Sequence, residues 1–192
     1  AQLNNLAENQ IPAIWLVDKF KGKTAVLLAG GPSLDDILPW VREHRKNLLV
    51  IAVSIISGPL RKAGIQPDII TSVDPHSVNL YLSREMFEFQ DGSLLVSNNH
   101  LAPNLLSSWG GLKAYTGSRY PWLTELEPEN LPLSGGTTVT NGSFALAVQA
   151  GVSQLVLGGV DFCFSQEGHT YTSGSKEHKM GTMPRMSEQE VE

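Results

Sequence analysis

The chain has 192 residues, of which 41% are hydrophobic and 17% charged, and its net charge of -5 argues against a basic nucleic-acid-binding surface. Cys163 is the only cysteine, which excludes an intramolecular disulfide and a cysteine-rich zinc site and favours a reducing compartment, the cytoplasm. No apolar run approaches the roughly 18 residues of a membrane span, and the opening residues lack the pattern of a signal peptide. The composition favours one α/β domain.

Five short apolar runs are predicted to be parallel strands covered on both faces, because their apolarity is continuous rather than alternating. Their bounds are 24–29, 48–54, 68–73, 93–97 and 154–160. Proline and glycine positions predict helices between them. These helices span 39–46, with Pro39 in the first helical position, 59–63 before Gly64, and 141–150 before Gly151. We therefore predict a Rossmann-like, doubly wound and mainly parallel sheet with helices on both faces.

The chain is predicted to have three parts. Residues 1–22 carry apolar side chains at helical spacing, divided by Pro12, and are predicted to be a docking helix region. Residues 23–172 form the main domain. Residues 173–192 lose all periodicity and are predicted to be a mobile loop, a lid or a truncated element. A start without methionine and a polar end fit a piece of a longer protein.

The stretch VLLAGGPSLDDI leaves the first strand through four residues suited to bringing backbone close to a ligand: Gly30, Gly31, Pro32 and Ser33. Ligands bind beyond the carboxyl ends of parallel strands, so this turn is a candidate anion site. A tight turn without a ligand is the alternative. The stretch is neither a dinucleotide fingerprint nor a P-loop. Asp35 and Asp36, which follow, are expected to cap the next turn.

A second candidate follows the third strand in AGIQPDIITSVDPHS, where Asp74 emerges at the strand end. Its carboxylate is suited to accepting ribose hydroxyls, to binding a metal through water, or to capping the turn that Pro75 begins. His76 lies near the same rim, as a ligand contact or as an ordinary surface histidine. The residue types leave these alternatives open.

A third candidate is the glycine-rich loop at 134–143 and the helix that follows it. Asn141, Gly142 and Ser143 lie at the start of this helix, whose unpaired N–H groups and dipole favour an anion. Asp161 then leaves the last strand, and His169 and Tyr171 follow. Since the carboxyl ends of parallel strands share one edge, we expect the three candidates to converge there.

The blocks AGGPSLDD, GIQPDIITSVD and NGSFALAVQAGVSQLVLGGVDF…GHTY, in this order, resemble the central domain of the motility accessory factor (Maf) family, also described as DUF115 or MptE-like. The resemblance covers about 25–171. It implies a role in glycosylating flagellin with nonulosonic acids such as pseudaminic or legionaminic acid. The central domain of the family is similar to bacterial sialyltransferases, which implies a CMP-linked donor and makes 23–172 a nucleotide-sugar-binding domain.

The resemblance also implies roles for individual positions. Gly30 to Ser33 match the nucleotide loop of the family, and Asn141 to Ser143 fall where the sialyltransferases place residues against the nucleotide. Asp161 and Phe162 match the Asp-Phe pair after the last strand. Tyr171 matches the second of two tyrosines that hold the donor phosphate, whereas Cys163 or Phe164 stands near the first.

The implied reaction displaces CMP from an anomeric carbon by a Ser or Thr hydroxyl. It requires leaving-group stabilisation and one base and no cofactor. Our hypothesis for the base is His169, beside the phosphate tyrosine, and Asp161 is the second catalytic candidate. The alternatives are that His169 is an ordinary hydrogen-bonding loop residue and that the base is absent or lies beyond Glu192.

Two other functions stay open. MptE-like relatives are 6-hydroxymethylpterin pyrophosphokinases, which would use ATP with Mg²⁺ held by Asp74 and Asp161. The glycine turn has no adjacent basic residue for a triphosphate, which argues against this alternative. The third function is a non-catalytic module that recognises flagellin or a sugar nucleotide.

Overall fold

The computed structural model describes residues 2–9, 11–122, 124–131 and 138–180. Its centre is a six-stranded sheet in which every pairing is parallel. The strands are β1 (Thr24–Leu28), β2 (Leu48–Val53), β3 (Ile69–Ser72), β4 (Leu94–Asn98), β5 (Lys113–Thr116) and β6 (Gln154–Gly158). Their order across the sheet is β5-β4-β3-β2-β1-β6. The predicted Rossmann-like α/β fold is therefore confirmed.

Six α-helices accompany the sheet: α1 (Gln2–Asn5), α2 (Leu34–His44), α3 (Ser57–Ala63), α4 (Val78–Leu82), α5 (Pro103–Ser108) and α6 (Val139–Gln149). Short 3-10 turns lie at Ala13–Leu16, Arg45–Asn47, Ser54–Ile56, Arg84–Phe89 and Glu177–Met180. These counts refer to the described residues alone.

Apolar side chains cover the sheet on both faces, which explains the continuous apolarity of the strands. On one face, buried residues of α2, α3 and α5 pack together, among them Val41, Leu60 and Leu105. On the other face, Leu146 and Ala147 of α6 pack with strand residues such as Leu27 in a second cluster. Each fully buried leucine or valine contributes about 1.5–3 kcal/mol relative to an exposed one.

Five of the six strands confirm the predicted runs, and their observed bounds differ from the predicted ones by one or two residues. Strand β5 is absent from the prediction. The third predicted helix also begins earlier, at Val139 instead of residue 141. The end of α3 is confirmed, since Gly64 takes a left-handed conformation with φ of 68°.

The predicted start of α2 at Pro39 is wrong, because this helix begins at Leu34 and contains Pro39 in its interior. A proline inside a helix lacks the N–H that would bond four residues back, which makes the first helical turn its usual place. Here the preceding turn stays helical because Leu34 and Leu38 are buried against the sheet.

The opening segment is held to the far edge of the sheet. Asn5 Nδ2 donates a 2.8 Å hydrogen bond to the Leu101 carbonyl, and Pro12 forms a parallel bridge with Tyr115 of β5. The segment is thus two short pieces on either side of Pro12. The division of the chain at residues 22 and 172 stays a prediction.

Candidate functional site

The strand order separates the loops at the carboxyl edge into two groups. Strand β6 lies beside β1, so the turn that follows β1 meets the loop that follows β6. The chain reverses its direction of progress across the sheet between these two strands, a position where α/β folds commonly bind ligands. The ends of β2, β3, β4 and β5 lie together farther along the same edge.

At the first group, the Asp161 carboxylate occupies the place that the sequence suggested for an anion. Its Oδ2 accepts a 2.8 Å hydrogen bond from Ser33 N, and its Oδ1 accepts a short one from Ser33 Oγ. Ser33 Oγ also accepts from Gly159 N at 3.2 Å. Asp161 therefore caps the N-terminus of α2, where the helix dipole favours a negative charge.

Two neighbours of this cap take constrained positions. Gly31 donates from its N–H to the Gly159 carbonyl at 2.8 Å, and a Cβ on Gly31 would lie 2.7 Å from that oxygen. Phe162 has a φ of 52°, in the left-handed region, and its side chain is 80% exposed. Only a backbone without Cβ fits at Gly31, which gives this glycine a structural role.

The second group surrounds a cavity of about 700 Å³. Its lining includes four residues predicted from the sequence, namely Asp74, Gly142, Ser143 and Tyr171. The other predicted site residues lie outside the lining that the described part of the chain forms; they are Gly30, Gly31, Pro32, Ser33, Asn141, Asp161, Phe162 and His169. Gly30 is nonetheless adjacent, since a Cβ there would lie 3.2 Å from the Tyr171 ring.

The floor of the cavity is a row of hydroxyl and amide side chains at successive strand ends. They are Ser54 after β2, Thr71 and Ser72 of β3, Ser97 and Asn98 of β4, and Thr116 of β5. Ser54 Oγ donates to Ser72 Oγ at 3.0 Å, and Asn79 Nδ2 donates to Ser72 Oγ at 3.1 Å. Ser97 Oγ is buried and has no protein partner. The floor therefore offers a polar ligand both donors and acceptors.

The N-terminus of α6 forms one wall. Thr138 caps the helix, since its Oγ1 accepts from Asn141 N at 3.2 Å. Ser143 Oγ lies 2.6 Å from Thr71 Oγ1 and donates to the Val139 carbonyl at 2.8 Å, which holds the first turn against β3. The N–H groups of Val139 and Thr140 have no acceptor within the helix. Residues 134–137 of the predicted loop lie outside the described residues.

Two carboxyl groups line the cavity. Asp74 accepts a 2.8 Å hydrogen bond from His76 N, the turn-capping contact that the sequence left open, and its side chain is 53% exposed. Glu177 is more enclosed, and burial raises the pKa of its carboxyl, although its own N–H and Lys176 oppose this. Its Oε2 is buried without a hydrogen-bond partner. Among the described lining residues there is no lysine, arginine or histidine.

The segment that carries Tyr171 and Glu177 is bound to the first group. Thr172 N donates to the Gly30 carbonyl at 2.8 Å, and Ser173 N donates to Asp35 Oδ2 at 3.0 Å. Thr172 Oγ1 donates to Asp35 Oδ1 at 2.5 Å. The expectation that Asp35 caps the turn of its own helix is therefore wrong, because its carboxylate is engaged by the distant segment.

His169 lies behind the cavity and not in its lining. Its ring stacks on that of His178 with 3.8 Å between centroids, and His178 Nδ1 is 2.9 Å from the Tyr171 carbonyl oxygen. The Nδ1 atom of His169 is buried without a hydrogen-bond partner. The role of His169 as a base stays a prediction.

Sequence reasoning missed several residues of the cavity: Ser54, Ser72, Asn79, Ser97, Asn98 and Glu177. A signal was present, because the apolar runs of β2, β3 and β4 each carry a serine at or next to their last residue, namely Ser54, Ser72 and Ser97. No local pattern marks Glu177, whose burial depends on the docking of its segment.

The described residues contain neither a membrane-spanning helix nor a cluster of metal-binding side chains. No helix in this part of the chain is long and apolar enough to cross a membrane. Nor do three or more histidine, cysteine, aspartate or glutamate side chains cluster there in a way that could hold a metal ion.

Comparisons with known proteins agree with this architecture. The chain is similar to the structure of the Maf glycosyltransferase from Magnetospirillum magneticum AMB-1, with a TM-score of 0.63 and 21% identity. The similarity covers 85% of this chain but only 28% of that protein, and it supports the fold. No curated protein matches the sequence. The family model described as 6-hydroxymethylpterin diphosphokinase MptE-like matches residues 1–167, so the chain belongs to this family, as its sequence blocks indicated.

Proposed function

We propose that the chain is the donor-binding part of a glycosyltransferase that uses a CMP-activated nonulosonic acid of the pseudaminic or legionaminic acid type. The proposed acceptor is a Ser or Thr hydroxyl of flagellin, the compartment is the cytoplasm, and no cofactor is required. The sequence blocks that resemble Maf proteins and the fold similarity to a Maf glycosyltransferase support this proposal. Because the chain spans 28% of that protein, transfer itself is assigned to the whole enzyme.

The observation that carries the proposal is the cavity in which Tyr171, the first turn of α6 and the polar strand ends meet. Its volume of about 700 Å³ lies within the roughly 300–1,000 Å³ of small-molecule sites. Hydroxyl and amide groups dominate its floor, which suits a ligand rich in hydroxyl groups. A nucleotide sugar has this character along most of its length.

In the proposed complex, the donor phosphate lies between Tyr171 and the N-terminus of α6. Both provide donors to an anion, the first through a phenol and the second through the backbone N–H groups of Val139 and Thr140. Asp74, at the rim, accepts hydrogen bonds from the ribose hydroxyls. Ser97, whose Oγ is buried and has no protein partner, belongs to the floor on which the sugar rests in this proposal.

The reaction in this proposal is substitution at the anomeric carbon. The acceptor hydroxyl forms the new C–O bond, the bond to the phosphate oxygen breaks, and CMP leaves with the electron pair. Tyr171 and the α6 amides stabilise the charge that develops on the phosphate. Asp161 acts through the turn after β1, which it holds in place. The proton of the acceptor hydroxyl passes to a base, the role predicted for His169.

A pyrophosphokinase that uses ATP and Mg²⁺ is the second candidate, and the family description favours it. Asp74 is placed to bind a cation from the cavity, whereas Asp161 is engaged with Ser33. A triphosphate carries more negative charge than a CMP ester, and the described lining provides two carboxyls and no cationic side chain. The electrostatics of the cavity therefore favour the less charged ligand.

Isothermal titration calorimetry with CMP, CDP and ATP, each with and without Mg²⁺, separates the candidates. We expect CMP to bind without metal, and Tyr171→Phe to weaken this binding. Binding of ATP that depends on Mg²⁺ would instead establish the kinase-like function. Failure of all three nucleotides to bind would contradict both and leave a module that recognises flagellin.

A further inference from the structure

Glu177 is the group of the cavity whose environment is hardest to reconcile with a fixed negative charge. It begins the turn Glu177–Met180 and lines the cavity together with Tyr171 and Asp74. Its Oε2 is buried and accepts no hydrogen bond. A buried carboxylate oxygen without a donor loses its solvation, and burial raises the pKa of the Glu177 carboxyl accordingly.

The charges around Glu177 give it little compensation. Lys176, its neighbour in the chain, lowers the pKa of Glu177, but the Lys176 ammonium is engaged by Glu85 Oε2 at 2.7 Å and by the Tyr81 carbonyl. Asp74, in the loop after β3, is a second carboxylate in the lining. The lining parts of α6, β2, β4 and β5 contribute no titratable side chain among the described residues, and Tyr171 is the remaining titratable group of the described lining. His178, the residue after Glu177 in the chain, lies outside this lining, with its Nδ1 2.9 Å from the Tyr171 carbonyl oxygen.

An anionic ligand in this cavity would meet a carboxylate whose neighbouring cation, Lys176, is already paired with Glu85. Protonation removes the repulsion and also supplies a donor, because a neutral carboxyl group has one O–H. An O–H donated to a phosphate or carboxylate oxygen is a charge-assisted hydrogen bond, among the stronger kinds in proteins. The ligand's own negative charge further favours the protonated form of Glu177.

We propose that Glu177 takes up a proton from solvent when an anionic ligand enters the cavity, and that it donates this proton in a hydrogen bond to the ligand. The inference rests on the proposed function, in that the anion is taken to be the phosphate or carboxylate of a nucleotide-sugar donor. It makes Glu177 a ligand-binding residue and makes binding sensitive to pH.

The test is calorimetry of CMP binding to the full chain and to Glu177→Gln, over a range from about pH 5.5 to pH 8 in two buffers with different enthalpies of ionisation. Glutamine keeps the shape and the donor of a protonated glutamate but cannot titrate. At the upper end of this pH range, we expect the wild type to take up one more proton for each CMP bound than Glu177→Gln does. As the pH rises, the affinity of the wild type for CMP should fall more steeply than that of Glu177→Gln, by about a further tenfold per pH unit, which is the slope for one linked proton. The CMP phosphate also titrates in this range, but it contributes equally to both proteins and therefore does not affect the difference between them.

Glu88→Gln is the matched control, because Glu88 is exposed on the surface in a pair with Arg61 and lies outside the described lining. We expect its proton uptake to equal that of the wild type. A wild type that binds CMP with the same proton uptake as Glu177→Gln would overturn the inference and leave the proposed function intact. A wild type that binds none of CMP, CDP and ATP would overturn both.

A second measurement needs no substitution. The side-chain carboxyl carbon of Glu177, labelled with ¹³C and assigned by its loss in Glu177→Gln, reports protonation directly by NMR. We expect its titration midpoint to rise when CMP is added. A midpoint that stays constant or falls while CMP binds would contradict the proposal.

Discussion

Asp161 and Ser33, which are 128 residues apart in the chain, form a two-point contact in which the carboxylate accepts from both the backbone N–H and the hydroxyl of the serine. The contact closes the N-terminus of α2 with a side chain from beyond the last strand. Local capping would come from Ser33 itself, which makes no side-chain bond within its helix.

The first prediction concerns this pair. We expect Asp161→Ala and Ser33→Ala each to lower the free energy of unfolding by about 1–2 kcal/mol, the usual cost of a lost helix cap. The double substitution should cost less than the sum, since the two residues share one interaction. Urea denaturation of the four proteins measures this. Unchanged stability of Asp161→Ala together with lost CMP binding would instead identify Asp161 as a ligand contact.

The second prediction concerns the turn after β1. We expect Gly31→Ala to destabilise the fold by about 1–3 kcal/mol, because its Cβ would lie 2.7 Å from the Gly159 carbonyl oxygen and also strike the Asp161 carboxylate. Gly58→Ala in α3 is the control, since its Cβ would find its nearest neighbour at 3.8 Å. Alanine is the better helix former, so Gly58→Ala should be neutral or stabilising. Equal thermal stabilities of the two variants would contradict this reasoning.

The third prediction concerns Asp35. Burial raises the pKa of this carboxyl, but hydrogen bonds from Thr172 and Ser173, with the nearby His178, outweigh burial and hold it below its ordinary value. A carboxyl with a lowered folded pKa stabilises the fold fully above its unfolded pKa, about 3.9, and this stabilisation is lost as the pH falls through the folded value.

We therefore expect Asp35→Asn to lower stability at neutral pH and to converge with the wild type below about pH 4. The substitution should also increase hydrogen exchange of the amides of Thr172 and Ser173, which the carboxylate holds in place. Asp36→Asn, at the neighbouring position of α2, is the control. A stability difference between Asp35→Asn and the wild type that stays constant down to pH 2 would count against this account.

The fourth prediction concerns the donor phosphate. We expect Tyr171→Phe to weaken CMP binding by about tenfold to a hundredfold, the loss of one hydrogen bond to a charged group. Its thermal stability should stay close to that of the wild type, because the ring is retained. Tyr81→Phe, at an exposed tyrosine outside the described lining, should leave the affinity unchanged. Equal affinities of wild type and Tyr171→Phe would remove Tyr171 from the phosphate site.

Much of the sheet was predictable because a strand that is buried on both faces has a continuous run of apolar residues. Leu48–Val53 is an example, with six consecutive buried residues. Strand β5 has no such continuous apolar run. It is an edge strand of four residues that begins with Lys113, and only Ala114 and Tyr115 are buried. The start of α2 was missed for a related reason, since its cap is supplied by Asp161 and not by a neighbouring residue.

The sequence predicted at which edge of the sheet the site lies, but not which residues line the cavity there. Parallel strands ensure that Gly31, Asp74 and Gly142 lie at one edge, but strand order decides which of them are neighbours. Because β6 lies beside β1, the turn with Gly31 is filled by Asp161, while Asp74 and Gly142 line the cavity. Strand order is set by long-range packing, which no single segment of the sequence encodes.

The position of β6 also constrains the order of folding. Its pairing with β1 joins residues about 130 positions apart, such as Thr24 and Gln154, and closing this loop costs more entropy than closing the shorter loops between the other paired strands. The first five strands follow one another across the sheet and assemble through shorter loops. We therefore expect the β1–β6 register to form late, and Asp161 to reach the first turn of α2 only then. A polypeptide that stops short of β6 would lack the cap that Asp161 supplies.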